Sequence, residues 1–179
     1  AFYRFWAMEE LTGHWDGYTD NLNNYYIYRD PSLKKFHFIP WGPDSSFGVP
    51  NPFRKQEVPV SVKANSILPR RLYALPASRA QYRSTLKKLL DTVWNEKELH
   101  QEIDRMRSLF ESKSTVPEMI YQQSLAIMKQ YVDSERARIQ TELNGPAPKW
   151  TLPPKKLEFM EKKGTLSFAF DTRWEATPD

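Results

Sequence analysis

HWDGYTDNLNNYYIY, residues 14–28, sets two acids and three asparagines directly before four large strand-forming residues. Short oxygen-bearing side chains turn a chain by bonding its own backbone, whereas Tyr and Ile favour the pleated strand. The junction therefore predicts a polar loop that feeds a strand over residues 25–28. A second run, KFHFI at residues 35–39, follows RDPSLK, whose Asp-Pro step favours a turn, and the two runs make a β-hairpin. Upstream, FYRFWAMEEL places Phe2, Phe5, Trp6 and Met8 or Glu9 at helical spacing. It stops before Thr12-Gly13, where glycine can close a helix.

Composition limits what surrounds this unit. A chain of 179 residues holds one main domain with a real core and the start of another. Its 40% hydrophobic and 14% aromatic content argues against disorder, and no apolar run approaches the roughly 18 residues of a membrane span. Zero cysteines exclude disulfides and thiolate metal sites without fixing a compartment. The chain opens inside an aromatic run with no initiator Met or signal-like segment, as expected of a piece of a longer protein. Its net charge of +4 is uneven: residues 1–50 carry four Lys/Arg against six Asp/Glu, and residues 70–143 thirteen against ten. No basic run exceeds two residues, so a solvated helical face, and no nucleic-acid partner, is expected.

Residues 42–76 contain Gly42, Pro43, Gly48, Pro50, Pro52, Pro59, Pro69 and Pro76, which predicts an irregular connection. Three amphipathic helices follow. The first begins at a Ser78/Gln81 capping box with Tyr82, Leu86, Leu89, Leu90, Val93 and Trp94 inward. The second turns Leu99, Ile103, Met106, Leu109 and Phe110 inward, and the third, residues 117–143, turns Leu125, Met128, Val132, Ile139 and Leu143 inward. The three are expected to pack as an antiparallel group beneath the hairpin. NGPAPKWTLPPKK then reads as a linker over residues 144–163, and GTLSFAFDTRW as the first strand of a β-rich module over residues 164–179. The expected class is α+β, with residues 1–143 as the main domain.

The polar loop carries the chemistry. His14, Asp16 and Asn21 have the spacing H-x-D-x-x-x-x-N, which in protein kinases gives an Asp that accepts the proton of the attacking hydroxyl and an Asn that supplies an oxygen to a metal ion. The same residues also suit a plain Asx-rich turn. After the hairpin, Asp44 follows Trp41, and two strands joined by a short turn can bring Asn21 or Asn24 and Asp44 to one end. Such hard oxygen ligands suit Mg²⁺ or Mn²⁺, while His14, His37 and His100 are too scattered for zinc. An EF-hand starting at Asp16 fails, since Asn21 falls where Gly is needed, and no G-x-S-x-G, Walker A or G-x-G-x-x-G is present.

The block FWAMEELTGHWDGYTDNLNNYYIYRDPSLKKFHFIPWGPDSSFG resembles the signature stretch of the spore-coat CotH kinase family. An aromatic helix with an Ala-x-Glu segment, an Asp followed by an Asn-Asn-aromatic-Tyr strand, and an Ile-Pro-Trp turn with an Asp come in that order. Residues 2–48 carry the match, and the helices of residues 70–143, with RARIQTEL, are similar to the family's helical tail. The resemblance implies the C-terminal catalytic lobe of an atypical protein kinase that transfers the ATP γ-phosphate to Ser/Thr hydroxyls of a protein substrate, using Mg²⁺ or Mn²⁺. It implies a nucleotide-binding lobe upstream of residue 1, so that nucleotide-binding residues stay unassigned and this chain alone is expected to be inactive. By position, Asp16 matches the catalytic-loop acid, Asn24 and Asn21 the metal-side asparagine, and Asp44 the acid of the Trp turn. Many members carry Trp-Asp-x-Asp there; this chain has Trp41-Gly42-Pro43-Asp44, which leaves Asp44 as the expected ligand. The missing acid and the Pro-rich linker also fit another class, a non-catalytic cell-surface or envelope interaction module on the same scaffold.

Overall fold

The computed structural model describes residues 1–52, 58–110 and 115–149, and the expected strand at 164–179 and most of the linker lie outside these. The fold is α+β. Helix α1 (Phe2–Thr12) is followed by strands β1 (Tyr25–Asp30) and β2 (Lys35–Pro40), then by helices α2 (Ile67–Ala74), α3 (Pro76–Thr92), α4 (Glu96–Phe110) and α5 (Glu118–Asn144).

Helix α1 is the hub. Its inner face buries Trp6, Ala7 and Leu11, and the Trp6 ring stacks on Tyr82 of α3 at 3.9 Å between centroids. Leu86, Leu90, Ile103, Val132 and Ile139 from the later helices, with Trp94 from the turn between α3 and α4, complete one continuous core with it. Helix α1 ends as its sequence suggests. Gly13 takes the left-handed conformation (φ 64°), its N–H donates to the Glu10 carbonyl and the His14 N–H donates to the Glu9 carbonyl. Tyr131 of α5 braces this end, its hydroxyl donating to the Leu11 carbonyl at 3.1 Å.

The hairpin pairs antiparallel in the register Ile27 opposite Phe38. Side chains alternate across a strand, so the Phe38 face differs from its neighbours'. Phe38 meets Phe2 at 4.8 Å, Tyr18 at 5.1 Å and Phe5 at 5.4 Å, and this aromatic cluster docks the hairpin on α1. Tyr26, Tyr28, Ile39 and Trp41 stay exposed, with Tyr26 edge-on to Trp41. The hairpin thus rests on α1, not on the three later helices as expected. Of those helices, α3 lies chiefly against α1, and α5 packs with both α3 and α4.

Three sequence expectations need correction. Helix α2 lies inside the supposedly irregular stretch, because Pro69 falls in its first turn, where a helix needs no N–H from it. Helix α3 starts at Pro76, which suits a first helical position, so Ser78 and Gln81 are interior and form no capping box. In α4 only Ile103 is buried, while Met106, Leu109 and Phe110 are exposed, and Val93 beyond α3 is exposed as well. Among the described residues no helix is long and apolar enough to cross a membrane.

Candidate functional site

The loop between α1 and β1 is folded by its own polar residues. The Asn21 N–H donates to the Trp15 carbonyl and the Asn23 N–H to the Gly17 carbonyl, which doubles the chain back on itself. Leu22 (φ 62°) and Asn24 (φ 45°) occupy the left-handed region, sparsely populated by side-chain-bearing residues and frequent at functional sites. The result gathers three asparagines around one acid. Asn21, Asn23 and Asn24 all donate through Nδ2 to the Asp16 carboxylate, Asn24 at 2.7 Å and Asn23 at 3.3 Å. With their nitrogens committed to Asp16, the amides keep Oδ1 as the atom available to a cation.

The turn after β2 is strapped across this loop. The Trp41 N–H donates to the Asn24 carbonyl, the Trp15 N–H to the Ser45 carbonyl, and the Phe47 N–H to the Thr12 carbonyl at 2.7 Å. Gly42 stands between the two segments with φ 51°. A Cβ there would lie 3.4 Å from Asn24 Nδ2 and 3.4 Å from Asp44 Oδ1. Asn24 Nδ2 is 2.7 Å from Asp16, and Asn24 Nδ2 and Asp44 Oδ1 face the same point beside Gly42, which places Asp16, Asn24 and Asp44 at one end of the hairpin. Asp16, Asn21, Asn24 and Asp44, the four residues singled out from sequence, come together there. Two carboxylates and two amides are hard oxygen donors of the kind Mg²⁺ or Mn²⁺ takes, with water or phosphate filling the remaining positions. Among the described residues no group of three or more His, Cys, Asp or Glu side chains could hold a metal, so amide oxygens would have to share in any such site.

Beneath the loop lies a buried polar layer that sequence reasoning missed. Glu9 accepts from the Tyr18 N–H at 3.0 Å and the Thr19 N–H at 2.9 Å, one on each carboxylate oxygen. Burial pushes its carboxyl up to about 7, against the opposing pull of the Thr19 and Tyr18 hydrogen bonds. Glu10, wholly enclosed, pairs with Lys63 Nζ at 2.6 Å and accepts from the Lys63 N–H at 2.9 Å. Burial also raises the Glu10 carboxyl, with Lys63 opposing. Asn65 completes the layer: its N–H donates to the Thr19 carbonyl and its amide to Asp20 at 2.8 Å. The one available signal was an acidic pair inside an otherwise aromatic helix. His14 is also buried beside the loop, His37 lies on the hairpin near Asp30, and His100 pairs with Asp133, so the three share no site.

The chain belongs to the CotH family: the family model described as CotH kinase protein matches residues 1–146. Among curated proteins it is similar to Invasin CotH2 of Rhizopus delemar, 47% identical over 49 residues. That alignment covers 27% of this chain and 8% of the relative, so the chain spans only a small part of the relative's length.

Proposed function

We propose that this chain is the catalytic lobe of a metal-dependent Ser/Thr kinase of the CotH type. The observation that carries the reading is the convergence of Asp16, Asn24 and Asp44 at the end of the hairpin. In this reading Asp16, oriented by three amide nitrogens, still has lone pairs free to accept the proton of a substrate hydroxyl. Asn21, Asn24 and Asp44 would hold Mg²⁺ or Mn²⁺ through their oxygens. Bound there, the cation would offset charge on the transferring phosphoryl group of ATP, which in such reactions supplies much of the catalysis. With Gly42 in place of an acid, Asp44 is the carboxylate of the Trp turn that serves the metal. The test is phosphoryl transfer from labelled ATP by the full-length protein in Mg²⁺ or Mn²⁺. Wild type should label itself or a protein partner and Asp16→Ala should not; equal labelling by the two rejects the reading.

A second reading, a non-catalytic surface module, draws support from Gly42. A side chain there would sit against Asn24 and Asp44 on a backbone with φ 51°, so the turn disfavours the second acid many members carry. The relative's name, an invasin, points the same way. Metal-dependent ATP binding by the full-length protein would count against this module.

A further inference from the structure

We infer that Glu9 is the positioning residue of the loop: its buried carboxylate clamps the backbone midway between Asp16 and the asparagines and so sets the spacing at which they meet a cation. The inference rests on the reading of Asp16, Asn21, Asn24 and Asp44 as a metal-assisted transfer site. Glu9 sits on the last turns of α1, is 4% exposed, and spends both oxygens on consecutive backbone amides, Tyr18 and Thr19. Those two are the middle pair of the four residues between Asp16 and Asn21. A carboxylate that receives two adjacent N–H groups fixes the local backbone orientation as well as its position. The fit is tight. A Cβ on Gly17 would lie 2.5 Å from Glu9 Oε1 and 2.7 Å from His14 Cδ2, so the chain passes directly over the carboxylate where only glycine fits.

The neighbouring acid does different work. Glu10 holds Lys63 through both its N–H and its Nζ and meets the loop only through the Thr19 hydroxyl at 3.5 Å, whereas Glu9 takes two of the loop's backbone amides. Nor does Glu9 approach the reacting atoms; it acts through the main chain. When protonated, its carboxyl keeps acceptor capacity but trades the charge that strengthens both bonds for an O–H that faces N–H donors. The loop should then slacken and the asparagines lose their common focus on Asp16. The charged and titratable groups around it are Glu10 on the same helix, Lys63 beside Glu10, and His14 and Asp20 from the loop.

The experiment follows the backbone amides of Tyr18 and Thr19 and the side-chain amides of Asn21 and Asn24 by NMR in the full-length protein between pH 5.5 and 8.5. Mn²⁺ affinity is measured across the same range. In wild type, all four signals should move together with a midpoint near 7, and Mn²⁺ binding should tighten through that midpoint. Glu9→Gln should abolish the shared midpoint and weaken Mn²⁺ by about tenfold, the lower end of what residues holding metal ligands in place contribute. Its melting temperature should not fall in parallel. Asparagine signals that ignore the Tyr18 and Thr19 transition, or a Glu9→Gln protein with wild-type Mn²⁺ affinity at every pH, overturn the inference. If wild type binds no Mn²⁺ at all, the metal reading falls, while the shared titration still decides whether Glu9 positions the asparagines. The wild-type titration needs no variant, so a Glu9→Gln protein that fails to fold leaves the test intact.

Discussion

Ionising Glu9 should make the fold less stable, by an amount that can be worked out. Its carboxyl has an ordinary value of 4.5 and lies at about 7 in the folded protein. Each unit of displacement corresponds to about 1.4 kcal/mol, so the full effect is about 3 kcal/mol. The sign follows from proton binding. Between these two values the folded state holds a proton that the unfolded state has released, so stability falls as pH rises from about 4.5 to about 7 and then levels off. Glu10 and Glu135, also raised by burial, add slopes of the same sign, so the wild-type curve alone cannot isolate Glu9. Urea denaturation of wild type and Glu9→Gln from pH 4 to 8 does isolate it, because those other slopes cancel in the difference. Glu9→Gln should gain about 3 kcal/mol on wild type across that interval, starting from a deficit at low pH for its imperfect acceptance of two N–H groups. A difference that stays flat within about 0.5 kcal/mol would show that the Glu9 carboxyl is not raised, and the reasoning would fail.

Two further outcomes test the packing. Gly13→Ala should destabilise by about 1–3 kcal/mol in thermal or urea unfolding, because φ 64° strains an alanine and its Cβ would lie 2.6 Å from the Tyr131 hydroxyl. A loss under about 0.5 kcal/mol would mean that Tyr131 does not brace this turn. Leu86→Ala, at a fully buried position, should cost about 2–5 kcal/mol, and Leu89→Ala, half-buried at the core's margin, clearly less. The reverse order, measured by denaturation, would misplace the inner face of α3.

Local chemistry made part of this molecule legible from sequence. The aromatic spacing of residues 2–6 with Gly13 marks α1, and the paired runs at 25–28 and 35–39 mark the hairpin, because helix closure and strand alternation are short-range effects. The Asx crowding at Asp16 to Asn24 signalled a tightly folded polar loop for the same reason. Elsewhere tertiary partners decide. Leu109 and Phe110 continue an apolar stripe, yet a stripe does not tell which of its turns meets another helix. Pro69 looked like punctuation because its tolerance depends on where the first turn begins. Glu9 and Glu10 were least visible of all: a buried acid is stable only with its partners in place, and Lys63 stands 53 residues away.

The brace that Tyr131 forms on the end of α1 has a bearing on biosynthesis. The loop and hairpin leave the ribosome ahead of α5, and the hydroxyl that reaches the Leu11 carbonyl comes 120 residues after it. At ordinary rates of translation that interval lasts about 6–24 s. Over those seconds the nascent chain presents Tyr26, Tyr28 and Trp41 on a hairpin whose supporting helix still lacks its C-terminal brace. A message cut short before α5 would yield a polypeptide that carries every residue of the loop but not the Tyr131 brace on α1.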